Sequence, residues 1–323
     1  MRVVIVDPPH DSPARGNAVT VARWARNLRR LGTEVLRARP TELPAMDEPA
    51  DLVHAHHAVH CGPAALRFAR RRGIPLVVSL GGTDLNGPEG RLHPLARPPL
   101  EAADAIVGPF ALDGERLVAE GVDADRFHVI RRGVELPPEF APPPDPFPLE
   151  VVLVGGLRPI KGQLDALEWL RAARDADVDA RLTLVGPIID EEYAAEVIRR
   201  LGSHRLASTV PHDEMAQVYE SANVVLNASR AEGASNAILE AWAHGRPVAA
   251  RRAPGNEELL DGAPAGIACL FPGEEPQVLV DWLAERLEDR DDVGRTARKW
   301  VATRHAAADE ARELRSVYAG LVG

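Results

Sequence analysis

The sequence predicts an α/β protein built from two doubly wound parallel-sheet domains. Short apolar runs rich in valine, isoleucine and leucine alternate with helical patterns along most of the 323 residues, which is the mark of strand–helix–strand units and parallel sheets. The alternation is interrupted once, by Leu136-Pro-Pro-Glu-Phe-Ala-Pro-Pro-Pro-Asp-Pro-Phe-Pro148, whose prolines forbid helix interiors and central strands alike. The glycine clusters fall at the ends of predicted strands, where open α/β sheets bind ligands.

In chain order, residues 2–6 read as a buried strand and Asp11–Asn17 as a loop of turn formers. An amphipathic helix follows over 19–31, with Val21, Trp24, Ala25, Leu28 and Leu31 on one side and Arg23, Arg26 and Arg30 on the other. This strand–loop–helix arrangement can aim backbone N–H groups at an anion from Gly16 and Asn17, and a tight turn explains Gly16 equally well. The arginine stripe reads as a solvated face, with attraction to an anionic membrane surface as the lesser alternative. Asp51-Leu-Val-His54-Ala-His56-His57-Ala-Val-His60 places four histidines after a short strand. Their spacing matches no zinc signature, so His54 or His56 lining a cleft at a strand end is expected rather than a metal. A helix over 63–72 leads to the strand Ile74–Leu80, which ends in Gly81-Gly82-Thr83-Asp84. That is either a ligand loop carrying Thr83 and Asp84, or a plain turn with an aspartate cap. Further units are expected at 105–107 and 127–130.

Beyond the linker, strands are expected at 150–154, 181–185, 206–210, 223–227 and 247–250, with helices at 163–174, 191–202 and 213–221 between them. The last 40 residues read as helices. The division is then 1–136, a linker over 137–148, a second domain over 149–294, and a final helix over 295–323 returning to the first domain.

Composition narrows the function. The formal charge of −10 argues against nucleic-acid partners, which are bound through phosphate neutralisation. Residues 1–148 carry a net −1 and residues 149–323 a net −9, so an anion bound in the second half needs a local cluster of donors. The basic residues are arginines except for Lys161 and Lys299, and Lys161 stands in Gly155-Gly-Leu-Arg158-Pro-Ile-Lys161-Gly162. Cys61 and Cys269 match no metal or redox spacing, and no apolar run approaches the roughly 20 residues of a membrane span. A cytoplasmic protein is expected.

The chemistry concentrates in Glu232-Gly233-Ala234-Ser235-Asn236-Ala-Ile-Leu-Glu240-Ala-Trp-Ala-His244-Gly245-Arg-Pro247. Two carboxylates flank a small-residue turn that opens an apolar helix. Ser235 or Asn236 can cap its start, while Gly245 and Pro247 end it. A carboxylate on a mostly buried helix needs a hydrogen-bonding partner. For Glu240 that is either a ligand with vicinal hydroxyls or His244 one turn on.

These motifs, in this order over essentially the whole chain, resemble the retaining nucleotide-sugar glycosyltransferases of family 4, with their two-domain GT-B fold. Glu232 to Glu240 looks like the family's paired-glutamate signature. Val154–Gly162, Gly255-Asn256-Glu257 and Gly133-Val134 support it. The resemblance implies a hexosyl transfer from a nucleotide sugar, in the first place a UDP-sugar, with no metal or other cofactor. It implies that Glu240 binds the ribose diol and Glu232 the donor sugar, while N–H groups of Ala234, Ser235 and Asn236 meet the sugar and β-phosphate and Gly233 belongs to the same donor site. Lys161 and Arg158 would neutralise the departing diphosphate. Two positions depart from the family pattern. Gly156 stands where arginine is usual, leaving Arg158 either to substitute from a shifted position or to serve another purpose, and Gly81 stands where a cleft histidine is usual, leaving His54, His56 or Asp84. The Gly-Thr-Asp-Leu and Leu-Arg segments also look similar to selenosugar synthases. Alternatives are therefore a selenosugar or thiosugar synthase, a nucleotide-sugar epimerase or hydrolase, and a non-catalytic nucleotide-sugar binding protein.

Overall fold

The computed structural model describes residues 1–8, 16–82, 84–87, 90–123, 125–207, 209–285 and 290–323. The chain divides into two compact units, one of Met1–Gly133 with Ala307–Gly323, the other of Val134–Ala306. Each holds one six-stranded sheet whose strand pairs are all parallel.

The first unit runs β1 (Arg2–Val6), α1 (Gly16–Arg30), β2 (Glu34–Ala38), β3 (Leu52–His56), α2 (Gly62–Arg72), β4 (Leu76–Ser79), α3 (Arg97–Ala102), β5 (Ala105–Gly108), α4 (Ala111–Ala119) and β6 (Phe127–Val129). Its sheet order is β2-β1-β3-β4-β5-β6. β1, β3, β4 and β5 are buried on both faces because helices cover both. One core packs around α2, with Leu66, Phe68 and Ile106. The other packs around α1, with Ile5, Trp24 and Leu28.

The second unit runs β7 (Leu149–Val154), α5 (Gln163–Asp175), β8 (Ala180–Val185), α6 (Glu191–Arg200), β9 (Arg205–Ala207), α7 (Met215–Glu220), β10 (Val224–Asn227), α8 (Asn236–Ala243), β11 (Val248–Arg251), α9 (Asn256–Leu260), β12 (Ala268–Phe271), α10 (Pro276–Glu285) and α11 (Arg290–Arg304). The order is β12-β11-β10-β7-β8-β9. A last helix, α12 (Ala307–Val322), belongs to the first unit.

Both sheets reverse their winding once, between β1 and β3 in the first and between β7 and β10 in the second. At such a switch point the loops leaving adjacent strands diverge to opposite faces and open a crevice, the usual ligand site of open α/β sheets.

The structure differs from the sequence expectation in several places. α1 begins at Gly16 rather than Val19, so Gly16 and Asn17 form its first turn, and the Thr20 hydroxyl donates to the Gly16 carbonyl at 3.0 Å. The rest of the expected loop lies outside the described residues. The edge strands β2 and β12 are additional, and β9 is shorter than expected. The final segment is two helices rather than one. His305 and Ala306 break it, because Val134 N–H donates to the His305 carbonyl at 2.7 Å and Val134 bridges Ala306. α11 packs on α8 and α12 on α1. The proline-rich stretch is held to the second unit by Arg246, fully buried, which donates to the carbonyls of Ala141, Tyr219 and Glu220 at 2.9–3.2 Å. No helix among the described residues is long and apolar enough to cross a membrane.

Candidate active site

The second unit's site is built at its switch point. After β7 the chain pairs with the loop leaving β8. Leu157 N–H donates to the Pro187 carbonyl at 2.8 Å, and its own carbonyl accepts from Ile189 and Asp190. This braces the turn Arg158–Lys161. Gly162 closes the turn at φ +64°, and a Cβ there would overlap the Ala228 carbonyl just beyond β10. Only glycine satisfies both demands, and that close approach brings the turn against the loop that carries Glu232.

Lys161 Nζ lies 2.5 Å from Glu232 Oε1, with side chains 18% and 13% exposed. The same oxygen accepts from Ser229 Oγ at 2.7 Å and Asn227 Nδ2 at 3.4 Å. Burial pushes the Glu232 carboxyl up, but the Lys161 charge and the hydrogen bonds from Lys161, Ser229 and Asn227 outweigh it and hold the group below the usual carboxylate range. Glu232 is ionised at neutral pH. Arg158 is half-buried on the same turn, and its guanidinium meets no acceptor among the described residues. A Cβ on Gly156 would lie 2.7 Å from Cγ1 of the partly exposed Ile189, so a larger residue there requires Ile189 to shift. Glycine at 156 thus lets Ile189 pack against the turn, while Arg158 places a guanidinium two residues on.

Glu232 N–H donates to the Pro254 carbonyl at 3.0 Å, and Gly255, at φ +83°, lies against Glu232 and Gly233 where a Cβ would collide. The turn through Gly233 and Ala234 thereby leads into α8. Ser235 occupies the N-cap position with extended backbone, but its side chain does not cap the helix. Its hydroxyl instead meets Asn227 Nδ2 at 3.2 Å. Asn236 opens the first turn. One turn further on, half-buried Glu240 accepts from the Tyr219 hydroxyl at 2.7 Å. Tyr219 is buried, and burial together with the Glu240 charge raises its pKa well above the ordinary value, so it remains a donor. His244 stacks on Tyr219 at 5.3 Å and turns Nδ1 towards Glu220 at 3.8 Å rather than to Glu240. Tyr219 had no motif to announce it, because its partner is 21 residues away on another helix.

In the first unit, His54 and His56 are fully buried. The expectation that one of them lines an open cleft is corrected by their packing. His54 stacks on Trp24 at 5.1 Å and shares a 2.6 Å hydrogen bond with the Tyr318 hydroxyl of α12, while His56 meets Ser79 Oγ at 3.0 Å. Burial depresses His54 to about 3, so it is neutral. The histidine at the strand end is His57. It adopts φ +82°, a strained conformation for a residue with a side chain, and its Nδ1 lies 2.7 Å from Asp84 Oδ1. Asp84 is fully buried and accepts from the N–H groups of Ala58, Val59 and Gly81 at 2.6–2.9 Å. A Cβ on Gly81 would stand 2.8 Å from His57 Cγ. The space beside Gly81 is thus taken by the ring of His57, which is itself buried. Thr83 lies outside the described residues. Among the described residues, no three His, Cys, Asp or Glu side chains are grouped to hold a metal ion.

Residues 1–136 match the family described as Glycosyltransferase Family 4, and residues 148–289 match Glycosyl transferases group 1. The chain belongs to the glycosyltransferases, with a family 4 domain followed by a group 1 domain. It is 29% identical over 292 residues to D-inositol 3-phosphate glycosyltransferase 1 of Catenulispora acidiphila, covering 80% of this chain and 68% of that one. It is also 29% identical to a GDP-mannose-dependent alpha-mannosyltransferase of Mycobacterium tuberculosis, covering 79% and 69%. Among solved structures, Anabaena HepE in complex with UDP and glucose superposes with a TM-score of 0.81 at 16% identity, over 99% of this chain and 100% of that one. The protein is an enzyme of the GT-B fold.

Proposed function

We propose that the enzyme transfers a hexosyl group from a nucleotide sugar, a UDP-sugar in the first place, to an acceptor nucleophile with retention of configuration. The observation that carries this reading is the Lys161–Glu232 pair at the second sheet's switch point, with Arg158 on the same turn and the start of α8 alongside. Two cations and a helix N-terminus in an otherwise acidic unit are what a diphosphate requires. Glu240, oriented by Tyr219, takes the ribose diol, and Glu232 takes hydroxyls of the sugar.

Lys161 and Arg158 stabilise the charge that grows on the diphosphate as the bond from the sugar C1 breaks, an interaction stronger in the transition state than in the ground state. The acceptor joins C1 on the face the diphosphate leaves, and its proton passes to the departing phosphate oxygen. The net charge of −10 supports a reaction without nucleic-acid partners, and free Cys61 and Cys269 suit the reducing cytoplasm.

The test is donor turnover with UDP-glucose and GDP-mannose against a panel of sugar, inositol and thiol acceptors, with the product anomer assigned by NMR. Glu240→Ala and Lys161→Ala are each expected to abolish transfer while the far-UV circular dichroism stays native. Full activity in either variant overturns the assignment. Equal donor consumption with and without acceptor assigns a hydrolase or epimerase instead.

A further inference from the structure

Three hydrogen-bond donors converge on one oxygen of Glu232, and only Lys161 comes from the diphosphate-facing turn. The other two, Ser229 Oγ and Asn227 Nδ2, rise from the end of β10 and the loop after it, and both residues are buried. Among the described residues nothing donates to Oε2. The amide of Asn227 has its own orientation fixed. Its Oδ1 accepts from Ser229 N–H at 3.0 Å and from Asn256 Nδ2 at 3.4 Å, and Asn256 Nδ2 also donates to the Arg251 carbonyl at 2.9 Å. The Nδ2 of Asn227 is thereby turned towards Glu232 and the Ser235 hydroxyl, which sits at the start of α8. A buried polar network of this kind is stable only when its members are satisfied, and it then specifies a single arrangement.

We propose that Ser229 and Asn227 are positioning residues that hold Glu232 by Oε1, so that Oε2 is the atom presented to the donor sugar. This rests on the nucleotide-sugar reading given above. Lys161 alone is a poor anchor for that purpose, because its ammonium is a mobile point charge also needed by the diphosphate. A short serine hydroxyl three residues before the glutamate, with an amide fixed behind it, holds the carboxylate whether or not the lysine is engaged elsewhere. The consequence is specific: weakening this hold disturbs recognition of the sugar and leaves recognition of the nucleoside diphosphate intact.

Isothermal titration of the full chain with UDP, UDP-glucose, GDP and GDP-mannose tests this. For the nucleotide sugar that the wild-type protein binds, Ser229→Ala is expected to weaken affinity about ten-fold, the size of a lost hydrogen bond to a charged group. Affinity for the matching free diphosphate should change by less than about two-fold. Ser229→Thr, which keeps the hydroxyl, should return sugar affinity to within about three-fold of wild type. Equal weakening of sugar and diphosphate, or no weakening of either, overturns the positioning role. Wild-type protein that binds none of the four overturns the nucleotide-sugar reading itself, and this inference with it.

Discussion

Tyr219 shows how a single side chain decides what a motif residue does. Its hydroxyl holds one oxygen of Glu240 at 2.7 Å from a helix that sequence spacing did not connect to the motif. Tyr219→Phe keeps the ring stacked on His244 and removes only the donor. Nucleotide affinity is expected to fall about ten-fold, or about 1.4 kcal/mol, with a melting temperature within a few degrees of wild type; calorimetry and a thermal scan check the two parts. Glu232, Glu240 and Lys161 were legible because their spacing within short segments is itself the signal. Ser229 was within reach of the same reading, as a hydroxyl three residues before the glutamate. Tyr219 and His57 were not, because each acquires its meaning from a partner that only the fold brings near.

Among the elements, the β3 and β4 ends illustrate a compensated exchange. His57 sits at φ +82°, where glycine is at ease, and Gly81 sits where a side chain would strike the His57 ring. Because that ring is buried against Asp84, it cannot move aside cheaply. Gly81→Ala is expected to destabilise the protein by about 1–3 kcal/mol. Combining it with His57→Gly should recover most of the loss, since the second change removes both the clash and the backbone strain. Urea melts of the two single variants and the double variant measure this. An additive result refutes the shared-space explanation. Strand and helix types were legible wherever apolar runs were continuous, as in β1, β4 and β7. β2, Glu34-Val-Leu-Arg-Ala38, was missed because an edge strand needs fewer apolar residues and so carries a weaker pattern.

Taken as a whole, the molecule closes its first unit with its last helix. Arg23 of α1 and Glu310 of α12 are both nearly inaccessible, and they meet through two hydrogen bonds of 3.0 and 3.2 Å across 287 residues of sequence. Tyr318 adds its hydrogen bond to His54, and Ala311, Leu314 and Tyr318 complete the core around α1. Removing one partner of a buried pair leaves an uncompensated charge. Glu310→Leu is therefore expected to lower the unfolding free energy by about 3–5 kcal/mol, whereas Arg23→Met with Glu310→Leu should be close to wild type or above it. Denaturant unfolding decides between these outcomes.

The sequence by itself determined the two-sheet architecture, the proline-rich break and the segments that carry Lys161, Glu232 and Glu240, because these depend on periodicity and short-range spacing. Tertiary structure alone decided that His54 and His56 are core residues, that the His57 ring takes the space beside Gly81, that Ile189 packs where a side chain at 156 would begin, and that Tyr219 and Asn227 hydrogen-bond the two glutamates. Those outcomes depend on which atoms the parallel strands bring to one sheet edge, and no local pattern in the chain records that.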